Sequence, residues 1–241
     1  FETLDKHGAD ATRWYMIANA NPWENLKFDI EGLEESKRKF FGTLYNTYSF
    51  FSLYANVDSF YHQEPSIALH ERPEIDQWIL STLHTLIAGV DKAYAEYEPT
   101  VAARLIETFV DENLSNWYVR RGRSRFWGKG MAGDKEAAFV TLAEVLTTLS
   151  RLIAPFTPFM AESIYQNLVR SVDPDAPESV HLCAFPEADE SRIDPEMERQ
   201  MKALLGVVTL GRACRNLANM KVRQPAQATG SRQSAAGWRG R

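Results

Sequence analysis

Residues 73–99 read PEIDQWILSTLHTLIAGVDKAYAEYEP, and their spacing decides the fold class. Ile75, Trp78, Ile79, Leu83, Leu86, Ile87, Val90, Tyr94 and Tyr97 recur at steps of three, four and one. On a period of 3.6 residues that pattern makes one wide apolar stripe, so the stretch is a helix and not an alternating strand. Pro73 stands where a first-turn ring without an N–H is tolerated, and Pro99 marks the break. The same reading extends outward. Residues 100–119 repeat the stripe through Val101, Leu105, Ile106, Phe109, Val110, Leu114 and Trp117, and residues 135–153 through Phe139, Leu142, Leu146, Leu149 and Ile153. Residues 31–56 form a further long helix dense in Phe40, Phe41, Tyr45, Tyr48, Phe51 and Tyr54, an aromatic stripe expected to pack in the core. Pro155 and Pro158 close one helix and open the next, with Thr157 as the expected N-cap. Only Val180-His181-Leu182 reads as a short strand. With no alternation of strands and helices, a doubly wound nucleotide-binding fold is excluded, and an all-α bundle of long helices is the economical solution.

Composition agrees. The chain has 241 residues, 44% of them hydrophobic and 24% charged, with 27 Lys and Arg against 32 Asp and Glu and a net charge of −5. That is a globular chain long enough to bury a real core. Its apolar runs are too short for a membrane span. Residues 1–8, FETLDKHG, lack a basic segment followed by an apolar one, so no signal peptide is expected. Cys183 and Cys214 are far apart in sequence, which fits a reducing, cytoplasmic setting without disulfides.

A search for catalytic chemistry finds none. His7, His62, His70, His84 and His181 make no HxxxH or HExxH pair, and with the two cysteines they give no metal-ligand spacing. No Walker loop, GxGxxG or GxSxG elbow occurs. Asp111-Glu112 and Glu34-Glu35 fall on helix faces and read as solvated or salt-bridged surface.

One segment does stand out. Residues 113–127, NLSNWYVRRGRSRFW, place Arg120, Arg121, Arg123 and Arg125 beside Trp117, Tyr118 and Trp127 in an otherwise acidic chain. Guanidinium groups pair with phosphates and base edges, and indoles stack on unpaired bases. A confined basic-aromatic cluster therefore points to a small nucleic-acid footprint. Asn116, Trp117, Arg120, Arg121, Arg123, Arg125 and Trp127 are the candidate RNA-binding residues. Trp117 also continues its helix's apolar face, so core packing and stacking on RNA are both open to it. Residues 171–198 hold nine acids against the single base Arg192 and read as an extended acidic connector. Residues 206–225 carry Arg212, Arg215, Lys221 and Arg223 without an acid and read as a last helix ending at Pro225. Lys221 and Arg223 join the candidates as a second basic patch. Residues 226–241, small, polar and aperiodic, are expected to be a disordered tail.

The run Asn116-Trp117-Tyr118-Val119-Arg120-Arg121, continuing through Arg123, Arg125, Phe126 and Trp127, resembles the anticodon-binding domain of isoleucyl-tRNA synthetases. Other segments agree in order. Gly8-Ala9-Asp10, Arg13-Trp14-Tyr15-Met16, Asn21-Pro22-Trp23 and Asn25-Leu26-Lys27-Phe28-Asp29 look like the stretch after that family's KMSKS loop. Residues 152–162, LIAPFTPFMAE, are similar to the bundle's helix–Pro–helix signature. Ser179-Val180-His181-Leu182, Phe185-Pro186, Arg215-Asn216 and Lys221-Val222-Arg223-Gln224-Pro225 resemble the exit from the bundle.

The resemblance implies the all-α anticodon-binding bundle of class I aminoacyl-tRNA synthetases. Residues 1–29 would be the tail of the catalytic region and 30–185 the bundle. Residues 186–225 would be the connector and basic helix, and 226–241 the tail. It implies tRNA-Ile and the catalytic and editing domains as partners, a monomer, and ATP with magnesium for the full-length enzyme only. Neither HIGH nor KMSKS occurs in the chain, so the resemblance implies a C-terminal piece that is inactive alone. The equivalent bundle of a valyl- or leucyl-tRNA synthetase, or an unrelated helical scaffold with a basic edge, remains open. Trp14, Tyr15, Met16 and Trp23 are the residues expected to show apolar surface where other domains are missing.

Overall fold

A computed structural model describes residues 2–61, 67–128, 133–221 and 224. Every regular element among the described residues is helical. The chain divides into two compact units, residues 1–198 and 199–241.

In the first unit, helices Glu2–His7 and Ala9–Asn19 lead into a long helix at 30–57. Asp29 starts that helix: its carboxylate accepts the backbone N–H groups of Glu31 and Gly32 at 3.2 and 3.1 Å. This is the expected use of a short acid on two orphan donors. The helix runs as Ile30–Ser36, a π-helical stretch Lys37–Phe41, and Gly42–Val57. Helix Glu74–Ala95 packs on Pro99–Thr108 and on Asp134–Ile153, and the last of these packs in turn on Gly42–Val57 and Pro158–Tyr165. The expected stripe of Asp134–Ile153 is buried: Phe139, Leu142, Leu146, Leu149 and Ile153 all lie in the core.

The N-terminal helices are built into this bundle. Trp14 is fully buried and lies flat on Phe40, with ring centroids 3.8 Å apart, and edge-on to Phe41 and Phe156. Asp10 accepts the N–H of Met160 at 2.9 Å, and Arg13 donates to the carbonyl of Phe156 at 3.2 Å. Asp10 thus caps helix Pro158–Tyr165 from across the fold. Thr157 does not cap it with its side chain, which turns back to the carbonyl of Ile153. At the other end of Ala9–Asn19 the orphan carbonyls also find outside donors. Arg104 reaches Ala18 and Asn19 at 2.9 and 3.1 Å, and Thr100 Oγ1 reaches Ile17 at 2.7 Å.

Several expectations are corrected. Val180–Leu182 is a 3₁₀ turn, not a strand; among the described residues no neighbouring strand offers it a ladder. Ser179 caps the turn, and Glu162 accepts from Ser179 Oγ and the Val180 N–H at 2.8 and 2.9 Å. Helix Glu74–Ala95 stops short of Tyr97, which takes a left-handed backbone (φ 57°) and points into solvent. Val101 and Leu105 are exposed, while Ala102, Ala103 and Ile106 face the core. Of the aromatic stripe, Phe40 and Phe51 are buried, but Tyr45 is 59% exposed. Trp14 and Tyr15 are buried, whereas Met16 and Trp23 are exposed.

The acidic connector is not free in solvent. Its Asp189 N–H donates to His84 Nδ1 at 3.1 Å, its Asp194 N–H to Ser81 Oγ at 2.8 Å, and Arg192 pairs with Glu144 at 2.7 Å. Burial holds the His84 imidazole below its usual pKa. Arg192 pushes the same way, while Asp189 and Glu144 oppose it. A group whose folded pKa is depressed in this way must charge on acidification. The docked connector's stability is therefore present above the ordinary histidine pKa of about 6.5 and is lost as pH falls below it. Amide exchange at Asp189, corrected for intrinsic rate, should accelerate between about pH 7 and pH 5. Equal protection at both pH values would show that His84 does not hold the connector.

Candidate nucleic-acid interface

The basic-aromatic segment follows helix Pro99–Thr108 as a π-helical stretch Phe109–Val119, a short α turn Arg120–Gly122 and a 3₁₀ turn Arg123–Trp127. The i→i+5 bonding of the π stretch is wider than an α-helix and moves the apolar face out of its 3.6-residue register. Leu114 is buried as its place on the stripe predicts, and Tyr118 and Val119 are buried beside it. Trp117, placed on the core face by the sequence period, is only half-buried. Its ring lies beneath the Arg121 guanidinium, 5.8 Å from the ring centre.

Asn116, Arg120 and Arg123 meet at a groove of about 310 Å³. Its second wall is the helix Gly42–Val57, which contributes Asn46, Thr47 and Phe50. Arg123 lies over the Phe50 ring at 5.6 Å. Asn116 donates its Nδ2 to Asp111 at 3.1 Å, which holds the carboxamide in place at the groove. Asn116, Arg120, Arg121 and Arg123 are exposed, and no ion pair engages the three arginines among the described residues. The groove thus offers fixed positive charge, amide groups of the kind that read base edges, and an aromatic floor.

Arg125 stands apart. Both of its terminal nitrogens bind the Asp76 carboxylate, at 2.7 and 2.6 Å, and its Nε binds Asp134 at 2.9 Å. Tyr118 donates to the same Asp76 at 2.6 Å. Asp76 is fully buried in the first turn of helix Glu74–Ala95. Burial, and then the neighbouring Asp76 charge, raise the Tyr118 phenol well above its usual pKa and keep it a hydrogen-bond donor. The Arg125 guanidinium is therefore committed to the fold, and the candidate RNA-binding set is corrected by removing it. Trp127 is 59% exposed at the end of the 3₁₀ turn. Lys221 is exposed in the second unit, past the end of helix Pro195–Leu217. Arg223 and the tail 226–241 lie outside the described residues, as do His62 and Lys129.

The groove's chemistry agrees with the comparison to known families. Residues 76–229 match the model described as the anticodon-binding domain of tRNA ligase. The chain belongs to that family. The chain is 54% identical over 227 residues to the isoleucine–tRNA ligase of Bacteroides fragilis strain ATCC 25285, covering 94% of the chain and 20% of the relative. The Bacteroides thetaiotaomicron isoleucine–tRNA ligase is likewise 54% identical over 94% of the chain and 20% of its own length. The chain thus spans about a fifth of the length of the curated relatives it matches. Among solved structures, an Agrobacterium radiobacter K84 LeuRS, determined as a ternary complex with tRNA and LeuAMS, shares the fold. The TM-score is 0.60 at 18% identity, over 80% of this chain and 21% of that one.

The matched stretch of the anticodon-binding domain begins at Asp76, so the groove's second wall, Asn46 to Phe50, lies outside it. Sequence reasoning missed that wall for a physical reason. Phe50 and its neighbours belong to an aromatic-rich helix whose stripe reads as core, and nothing local separates a ring facing the core from one lining a groove.

Proposed function

We propose that this chain reads the anticodon loop of tRNA-Ile as part of an isoleucine–tRNA ligase that attaches isoleucine to tRNA-Ile at the expense of ATP. The observation that carries the proposal is the groove in which Asn116, Arg120 and Arg123 face Asn46 and Phe50. An anticodon is a single-stranded loop whose bases splay out, stack on aromatic rings and present their edges to carboxamides and guanidiniums. The Asn-Trp-Tyr-Val-Arg-Arg run and the names of the relatives support isoleucine over valine or leucine. Arg121 on Trp117, and Trp127, would flank the groove as stacking platforms, with Lys221 and Arg223 as a separate basic contribution. Activation of isoleucine, with its ATP and magnesium, belongs in this reading to catalytic and editing domains outside this chain. A monomer in the cytoplasm completes the proposal.

Arg120→Gln and Arg123→Gln should each weaken tRNA-Ile binding by roughly 1–3 kcal/mol while leaving the melting temperature unchanged. An anticodon-swapped tRNA separates the two roles: a base reader loses discrimination, whereas a phosphate holder weakens both RNAs alike. With so few free cations, the slope of log K against log salt should be on the order of −2 to −4. A folded double variant that binds tRNA-Ile like the parent would remove the groove from the interface.

A further inference from the structure

The helix Gly42–Val57 has a face that the groove at Arg120 does not use. Tyr48, Phe51, Ser52, Ala55 and Asn56 follow one another at steps of three, one, three and one, the spacing of a single helical stripe. They line one side of a pocket of about 340 Å³. The rest of the lining includes Ala143 of helix Asp134–Ile153, and Asn167 and Ser171 on and just after the π-helical stretch Gln166–Arg170. Phe51, Ala55 and Ala143 are buried and form the floor, where the two short alanine side chains leave room above them.

A further wall is made by the way the helix ends. Ser59 takes a left-handed backbone (φ 51°), and the Phe60 N–H donates to the Ala55 carbonyl at 2.8 Å. That is the bonding of a Schellman helix stop. It brings Phe60 back against Phe51, edge to face with ring centroids 6.2 Å apart, and Tyr61 follows at the rim.

The chemistry differs from that of the groove at Arg120. Among the described residues no charged side chain lines this pocket, in a chain with 24% of its residues charged. An ionised group entering it would shed water and meet no counter-charge, so phosphates and carboxylates are poor ligands. What the pocket offers is aromatic surface from Tyr48, Phe60 and Tyr61, and two carboxamides, Asn56 and Asn167, from different elements. Neither carboxamide has a hydrogen-bond partner among the described residues. Each holds a donor and an acceptor side by side. Rings beside such groups match a flat, neutral heterocycle that carries the same pairing on its own edge. The volume lies at the lower end of the ~300–1,000 Å³ usual for small-molecule sites, which suits one such ring with a sugar attached.

We infer that this pocket is a second binding site, which takes a neutral heterocycle of the nucleobase class through Asn56 and Asn167. The inference goes beyond anticodon reading and does not depend on it. A free nucleoside and an unpaired base of an RNA strand present the same ring, and the test separates them.

The 241-residue chain is titrated with adenosine, guanosine, cytidine and uridine by saturation-transfer NMR. At least one should bind with a Kd on the order of 0.1–1 mM. Asn56→Ala/Asn167→Ala should weaken it roughly 10-fold or more. Both asparagines are exposed, so this variant should melt with the parent. Ser52→Leu, which fills the pocket from a half-buried position, should abolish binding. Affinity should change less than about twofold between ~0.05 and ~0.5 M salt, because no cation lines the site. A hairpin bearing the tRNA-Ile anticodon loop is then added in excess. Displacement of the nucleoside assigns the pocket to an unpaired RNA base, and undisturbed binding assigns it to a free nucleoside; either result supports the site. No binding of any of the four at about 10 mM would overturn the inference. So would binding that the folded double variant leaves unchanged, or binding that a 5′-phosphate on the nucleoside greatly strengthens.

Discussion

Asp76→Ala should lower the unfolding free energy by about 3–5 kcal/mol, the range for removing one partner of a buried ion pair. The carboxylate is fully buried and takes three hydrogen bonds, two from Arg125 and one from Tyr118. Truncation leaves a largely buried guanidinium with only Asp134 for company and a phenol with no acceptor. The attraction itself is not the source of the cost: bringing both charges out of water consumes most of it, and the penalty arises from stranding the survivor. The double variant Asp76→Ala/Arg125→Ala should therefore recover part of the loss. Urea unfolding of the parent, the single and the double variants decides the matter. A loss below about 1 kcal/mol for the single variant would mean that water reaches the site. The same variant should bind RNA poorly for an indirect reason, because Tyr118 and Arg125 fix the turn from which Arg120 and Arg123 project.

Trp14→Ala should cost a further independent 3–5 kcal/mol, the range for deleting a buried large aromatic ring. The indole is fully buried between Phe40, Phe41 and Phe156, partners drawn from two distant parts of the sequence. Few side chains can collapse into the space it leaves, since its neighbours are rigid rings. Trp14→Phe should be much milder. It keeps the stack on Phe40 and removes the indole Nε1, which is buried with no acceptor among the described residues. Thermal melts of the two variants test this, and an alanine variant melting with the parent would place Trp14 outside the cooperative core.

The bundle was legible because its helices obey a simple rule. Glu74–Ala95 and Asp134–Ile153 bury the residues that a 3.6-residue period selects, and burial of such stripes is what drives helices together. The basic-aromatic segment was legible as a place but not residue by residue. Arg125 looks like its neighbours in sequence, and its partner Asp76 lies 49 positions away in the first turn of helix Glu74–Ala95, where an acid is an ordinary helix-start residue and gives no sign of burial. Trp117, open to either core packing or stacking, is half-buried, and the π-helical stretch breaks the period that would have fixed its direction. Asn46 had no local signal at all. It becomes part of a surface only when the helix bearing it is set beside Arg120.

The carbonyls at the end of helix Ala9–Asn19 that are held by Thr100 and Arg104 have a mechanical meaning. With Asp10 tied to Met160 near the helix's start and Trp14 wedged at its middle, the first helices have no joint about which to swivel. Thr100 and Arg104 stand on the same helical run that carries Arg120 and closes at Gly122. A force applied at the Arg120 end therefore travels down one stiff beam into the opening residues of the chain, and little of it is dissipated on the way.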